Sequence, residues 1–371
     1  MNRIKILQIV TMINGGGIDA VVYNYLSHMD LSDVQIDLVA IGIGKEQLRE
    51  AQFKKLGVNV LYVPKSITKR ILAVKSILKK GKYDIVHSHC EFLSELYLAM
   101  AMFYGTRTRI MHSHIANAQI PVVKKIYRPL GHFIAKCFAN KFFGCGIDAA
   151  ISLWGKRYYD QGLCYVMNNG VDLKKFAFSN TKRADVRAQM GWQEKFVIMN
   201  VGRFMPQKNH TFLLSLFKRI CETRSDCILI LIGDGPLKQD MEKWCEEQIL
   251  TSKVLFLGGR NDVADLLNGA DCFILPSLFE GLPVVSIEAQ CNGLPIVMSE
   301  NVTKECGVTN LSSFVSLSSS YDDWMKKIFE EHAEKRDCYP EILKRAGFDI
   351  ETEAAKLKDF YKSQVFGKEF L

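Results

Sequence analysis

Five short apolar runs separated by helical patterns open the chain, and a second series of the same kind starts near residue 195. The first series is IKILQIV (4–10), VQIDLVAI (34–41), VNVLYV (58–63), YDIVHSH (83–89) and TRIMHSH (108–114). Each run is strand-length and rich in Val and Ile, with helical segments between. That alternation specifies a parallel sheet wound with helices on both faces. The second series is KFVIMNVG (195–202), CILILIG (227–233), KVLFLG (253–258) and DCFILPS (271–277). Its runs are apolar almost without interruption, as strands covered on both faces require.

Two wound sheets within 371 residues imply two domains, because a single hydrophobic core stops growing at roughly 250–300 residues. The expected fold class is therefore α/β, with two Rossmann-like doubly wound parallel-sheet domains facing a central cleft. Residues 1–168 form the first domain and 169–349 the second, joined through VMNNGVD (166–172). A last helical pattern, Ile350 to Ser363, is expected to cross back so that 350–371 packs on the first domain. Asn209 is expected to cap a helix running through Ile220. Pro236 falls in the first turn of a helix through Gln248, and Asp322-Asp323 form an N-cap.

Composition narrows the class. The longest apolar run, Tyr97 to Tyr104, is far short of the roughly 20 residues a membrane span needs, and the N-terminus resembles a first strand more than a signal peptide. Eleven cysteines are scattered with no Cys-x-x-Cys pair, which fits reduced core thiols in the cytoplasm and argues against a zinc site. The net charge of +8 is uneven: fourteen basic residues against three acidic ones lie between Val63 and Cys145. A basic region of this kind suits an anionic partner. Lys124 to Lys141 alternates cations with apolar residues, so it either lies on an anionic membrane surface or covers the sheet with its lysines in solvent. No nucleic-acid-binding module accompanies the charge.

Four charged side chains stand out beside strand ends. In GRFMPQKNH (202–210), Arg203 and Lys208 follow a strand and precede a helix. Ligands bind at carboxyl ends of strands in open α/β sheets, and helix N-termini attract anions. A planar guanidinium and a mobile ammonium suit a diphosphate, the alternative being two solvated surface cations. In LFEGLPVVSIEAQ (278–290), Glu280 lies in a loop and Glu288 on the helix expected from Leu282 and Pro283, about 7.5 Å along its axis. Carboxylates accept hydrogen bonds from hydroxyl pairs, so one acid could hold a hexose and the other a ribose on the two sides of a diphosphate. A helix-dipole acid and a solvated acid are the plainer alternative. In the first domain, NGGGIDA (14–20) offers glycines that allow close backbone approach, and HSHIANA (112–118) places His114 at a strand end. His112 and His89 are the runners-up for that place, with a structural role favoured for each.

Glu280-x7-Glu288, Gly202-Arg203-x4-Lys208, GDGPL (233–237), NGVD (169–172) and Gly15-Gly16-Gly17 occur in one order along the chain. In that combination the sequence resembles family 4 glycosyltransferases of the GT-B fold, in particular their bacterial capsule and exopolysaccharide branch. The resemblance implies a retaining transferase that moves a sugar from a nucleoside-diphosphate sugar, with uridine diphosphate as the prior, to a lipid-linked saccharide. It makes 1–168 the acceptor side and 169–349 the donor side. Arg203 and Lys208 would hold the diphosphate, Glu280 the sugar hydroxyls, Glu288 the ribose, and His114 a place near the transferred sugar. Gly16, Gly17, Gly281, Leu282 and Pro283 would complete the donor site. Where many relatives have serine, this chain has Gly146. No Asp-x-Asp of the metal-anchoring kind stands beside a strand end, so metal independence and no cofactor are expected. The protein would be cytoplasmic and peripheral on the inner face of the membrane. A nucleotide-sugar epimerase or phosphorylase of this architecture and a non-catalytic nucleotide-sugar-binding protein are the alternatives.

Overall fold

A computed structural model describes residues 3–14, 16–42, 47–90, 93–114, 134–330, 336 and 339–367. The chain separates into two compact units, Met1–Gly170 with Ile350–Leu371, and Val171–Asp349.

The first unit carries seven parallel strands: β1 (Ile4–Ile9), β2 (Val34–Ile41), β3 (Asn59–Val63), β4 (Ile85–Ser88), β5 (Thr108–Ser113), β6 (Lys141–Gly144) and β7 (Cys164–Val166). Their order is β3-β2-β1-β4-β5-β6-β7. β1 pairs with β2 on one side (Ile6 opposite Ile36) and with β4 on the other (Ile6 opposite Ile85). The winding reverses between β1 and β4, and such a switch point opens a crevice beyond the strand ends. The core of this sheet is Leu7, Ile9, Val39, Val86, Met111 and Trp154, packed against Val74, Leu78 and Leu98 from the covering helices.

The helix Ile350–Phe366 belongs to this unit. Tyr361 is fully buried, and Lys358 bridges Asp30 at 2.7 Å and Asp33 at 2.9 Å.

The second unit has six parallel strands: β8 (Phe196–Val201), β9 (Cys227–Ile232), β10 (Val254–Gly258), β11 (Cys272–Leu275), β12 (Ile296–Ser299) and β13 (Ser312–Val315). They run in the order β10-β9-β8-β11-β12-β13. Every residue of β9, β11 and β12 is buried, which explains their unbroken apolar sequence. Here the switch point lies between β8 and β11, where Ile198 is opposite Cys272. The loops leaving these two strands carry GRFMPQK and LFEGLP.

Three local readings are corrected. The helix after Lys208 runs His210–Thr223, and Asn209 does not cap it through its side chain. Asn209 instead adopts the left-handed conformation (φ 56°) and donates to the Pro276 carbonyl, a backbone role that asparagine tolerates well. Pro236 precedes its helix, which spans Lys238–Glu247. Ser320, not the acid pair, caps the helix Tyr321–Ile328, and Asp323 closes a reciprocal capping box with it. The strands β7, β12 and β13 are additions to the sequence reading. Of the segment 124–141, expected either on a membrane surface or over the sheet, residues 124–133 lie outside the described residues. Among the described residues, no helix is long and apolar enough to cross a membrane.

Candidate functional site

Beside the switch point of the second sheet, glycines bring the loop after β8 against the loop after β9 before any charged group is placed. A Cβ on Gly202 would meet the Lys208 stem at 3.3 Å, so glycine lets that side chain lie across the backbone beside Arg203. Gly233, in GDGPL, has φ +140° and would drive a Cβ to 2.1 Å from the Gly202 carbonyl oxygen. The motif is therefore a close crossing of two strand-end loops, held by Gly202 N–H to Ile232 O (2.9 Å) and Phe204 N–H to Asp234 O (3.1 Å).

Lys208 Nζ donates to Glu280 Oε1 at 2.5 Å, and both side chains are largely withdrawn from solvent. The carboxylate is held further by Ser277 Oγ (2.8 Å) and Gln207 Nε2 (3.1 Å). Gln207 also donates to the Phe279 carbonyl, and Leu278 N–H bonds back to Gln207 O at 2.8 Å. With the Asn209 bond to the Pro276 carbonyl, five hydrogen bonds thus fix the loop after β11 to the loop after β8. A charged pair supported by further hydrogen bonds can survive low exposure, and these three donors, Lys208, Ser277 and Gln207, leave an acceptor site open on Oε2. Gln207 and Ser277 were not singled out from the sequence, although Gln207 sits one residue from Lys208 within the quoted motif.

Arg203 is exposed, and its side chain makes no hydrogen bond or ion pair among the described residues. Pro283 is the N-cap of the helix Val284–Cys291, and Leu282 and Pro283 are buried beside partly exposed Gly281. Glu288 is half-buried on that helix and makes no side-chain hydrogen bond among the described residues. Loss of water around its carboxyl pushes its pKa up to about 7, against the opposing pull of Lys175. The structure therefore joins Lys208 to Glu280, and it leaves Arg203 and Glu288 outside that pair.

The first unit's switch point is built from neutral rings. His87 ends within β4 and His89 follows it; His112 lies in β5 and His114 follows that. Period-two spacing puts each pair on one face of its strand. His87 stacks on His89 at 4.3 Å and His112 on His114 at 4.1 Å. His87, His89 and His112 are buried, and His114 alone of the four is partly exposed. Burial lowers all four pKa values, to about 3 for His87 and about 4 for His114.

Hydrogen bonds connect the rings to two further side chains. His114 Nε2 lies 2.8 Å from His89 Nδ1, and His89 Nε2 2.8 Å from Gln8 Oε1. Gln8 Nε2 donates to Tyr361 Oη (3.0 Å), which is 2.7 Å from His87 Nδ1. His87 Nε2 is 3.2 Å from His112 Nδ1. Among the described residues, His87, His89 and His112 offer nitrogens within 4.8 Å of one another, a spacing a metal ion could use. Five of those six ring nitrogens are already engaged in the bonds above, so the proton network accounts for the cluster. Gly16 caps the nearby helix Gly17–Ser27, and a Cβ on Gly17 would meet nothing within 4 Å.

Two parallel sheets of seven and six strands, each with polar side chains gathered at its switch point, define the GT-B class of doubly wound enzymes. A solved structure of Anabaena HepE in complex with UDP-glucose shares that fold at a TM-score of 0.77, with 19% identity, 97% of this chain and 100% of that chain covered. Residues 182–312 match the family described as glycosyl transferases group 1. EpsF of Bacillus subtilis, a glycosyltransferase by its name, is 31% identical over 369 residues, 96% of each chain. An Escherichia coli enzyme named UDP-Gal:alpha-D-GlcNAc-diphosphoundecaprenol alpha-1,3-galactosyltransferase is 31% identical over 314 residues, covering 81% of this chain and 80% of that one. This chain belongs to the glycosyltransferase group 1 family.

Proposed function

We propose that this glycosyltransferase is a retaining, metal-independent enzyme. It moves a hexose from a uridine-diphosphate sugar to a lipid-linked saccharide during capsule or exopolysaccharide assembly. The observation that carries this reading is the exposed, unpartnered Arg203 next to Lys208, whose ammonium is already pinned on Glu280. A cation with no protein partner at a strand-end switch point suits a phosphate. The relatives support the donor and acceptor: the Escherichia coli protein's name holds a UDP-sugar and a diphosphoundecaprenol-linked saccharide.

In this mechanism Arg203 and Lys208 take up the charge that develops on the departing diphosphate, which is usually the largest electrostatic contribution to such a rate. Glu280, held by Ser277 and Gln207, accepts hydrogen bonds from the sugar's hydroxyls. Glu288 does the same for the ribose, with Gly281, Leu282 and Pro283 shaping the helix start. On the acceptor side, Gly16 and Gly17 allow close approach and His114 contacts the transferred sugar. The diphosphate itself assists removal of the acceptor's proton, so no protein nucleophile is assigned. The protein works at the inner membrane face. Exposed Ile67 and Leu72 lie among the lysines of the helix Ile67–Gly81, and exposed Met102 and Phe103 on the helix Ser94–Phe103 that packs against it, a surface suited to anionic lipid.

The test is a transfer assay with a panel of nucleoside-diphosphate sugars and an undecaprenyl-diphosphate saccharide, with EDTA or with magnesium. Transfer from a UDP-sugar with its anomeric configuration kept, undiminished by EDTA, is the expected result. An inverted product, or an absolute need for metal, removes the corresponding part of the reading. Conversion of donor without acceptor would place the protein among epimerases.

A further inference from the structure

The carboxylate of Glu280 is almost fully supplied with protein donors. Its two oxygens offer about four acceptor sites. Lys208 Nζ at 2.5 Å and Ser277 Oγ at 2.8 Å both donate to Oε1, so that oxygen is saturated. Gln207 Nε2, at 3.1 Å, is the donor on Oε2 among the described residues. One site is left, on Oε2, and 9% of the side chain remains exposed, so the carboxylate is not sealed from a ligand.

Neither end of this arrangement is free to turn. Ser277 is fully buried, and its own carbonyl accepts from Ser299 Oγ at 2.7 Å. Ser299 Oγ in turn accepts from Asn301 N–H at 3.1 Å. Gln207 Nε2 has two hydrogens, and it lies 2.9 Å from the Phe279 carbonyl as well as against Oε2. Both of these neighbours are acceptors only. Turning the amide over would set oxygen against oxygen twice, so its nitrogen stays on Glu280.

The loops do not depend on that last bond. Leu278 N–H to Gln207 O, Asn209 to the Pro276 carbonyl, Gln207 to the Phe279 carbonyl and Lys208 to Glu280 already join them. What the second hydrogen of Gln207 changes is the number of sites Glu280 can offer: one with it, two without. We infer that Gln207 is a positioning residue that sets sugar specificity, filling one of the two sites on Glu280 Oε2 so that the carboxylate reads a single hydroxyl of the transferred sugar in place of an adjacent pair. This rests on the sugar contact proposed above for Glu280 and narrows it. A site rejects a missing hydroxyl only where it had bonded one, so Glu280 is blind to the neighbouring position.

The experiment measures kcat/KM for UDP-glucose, UDP-galactose and their 2-, 3-, 4- and 6-deoxy forms in wild type, Glu280→Ala and Gln207→Met. A hydroxyl read by Glu280 is one whose deletion costs wild type at least about tenfold, the worth of a hydrogen bond to a charged group, and costs Glu280→Ala much less. Wild type should show one such position. Gln207→Met keeps the length of the side chain without its N–H, and in it a second position, next to the first, should join. Two coupled positions in wild type, or the same single position in Gln207→Met, overturn the inference. The first of these outcomes needs no folded Gln207 variant, and Glu280→Asp, which withdraws the carboxylate, gives the same comparison should Glu280→Ala not fold. UDP carries no sugar, so its affinity by calorimetry should stay at the wild-type value in Gln207→Met. A fall in UDP affinity with the hydroxyl pattern unchanged would make Gln207 a structural loop residue and overturn its specificity role. Coupling at no position would remove the sugar contact of Glu280 and this inference with it, whereas no turnover of either donor would remove the uridine-diphosphate reading on which both stand.

Discussion

At the carboxyl edge of the second sheet an ammonium and a carboxylate lie 2.5 Å apart. At the corresponding edge of the first, four imidazoles are joined in a run that carries no charge. Both edges sit at a winding reversal, so topology alone does not explain the contrast. The ionic pair is possible because Ser277 and Gln207 also donate to Glu280, leaving part of Oε2 open, and because some solvent reaches Lys208. The imidazoles are more deeply buried, where charge is costly and neutrality is the cheaper state. One edge is suited to meeting an anion and the other to meeting hydroxyls.

The largest expected effect breaks the ionic edge. Lys208→Ala and Glu280→Gln should each lower transfer by roughly 10²–10³-fold, the scale of losing one preorganised charge-stabilising group. Steady-state kinetics with donor and lipid-linked acceptor give the ratio. Near-wild-type rates in both would strip that edge of its role. Next comes the crossing that supports it. Gly233→Ala puts a Cβ against the Gly202 carbonyl oxygen at a φ unfavourable to alanine and should destabilise the second unit by about 1–3 kcal/mol. Denaturant unfolding checks this, and an unchanged midpoint would show that the loops are free to separate.

Acidity should separate the two edges by sign. The histidines have folded pKa values below the ordinary 6.5, so below that pH the unfolded chain binds more protons. Stability is then lost as pH falls, by at most about 1.4 kcal/mol per pH unit for each ring. His87→Gln should flatten that slope in unfolding curves between pH 6.5 and 4. Glu288 behaves oppositely. Its pKa is raised from 4.5 to about 7, the folded state holds the extra proton between those values, and stability falls as pH rises through that window. Glu288→Gln should remove this slope, the smallest effect expected because the side chain is only half-buried and Lys175 opposes the shift. Equal pH profiles for wild type and variant would show that the carboxyl is hydrated.

Much of this was legible as pattern. Continuous apolar runs with turns between them announced two parallel sheets, and β2, at 34–41, begins and ends where its hydrophobic run does. The order of Arg203, Lys208, Glu280 and Glu288 along the chain is enough to mark one family. Short edge strands such as Cys164–Val166 were missed because three residues carry too little periodicity. Asn209 stands at the N-cap position as expected but without a side-chain capping bond, because a cap and a left-handed turn favour the same residue type. The two HSH motifs did hint at paired rings on one face. That they stand on neighbouring strands, and that Gln8 and Tyr361 complete them, was invisible: Gln8 and Tyr361 lie 353 residues apart.

The amino-acid order by itself determined the secondary-structure rhythm and the chemical inventory, because hydrophobic period and residue type are local properties. Only the tertiary structure decided which of those groups share protons and charge. Lys208 meets Glu280 across 72 positions, and Gln8 meets Tyr361 across 353. Hydrogen bonds act over about 3 Å of space, and only folding sets that distance between residues far apart in the chain.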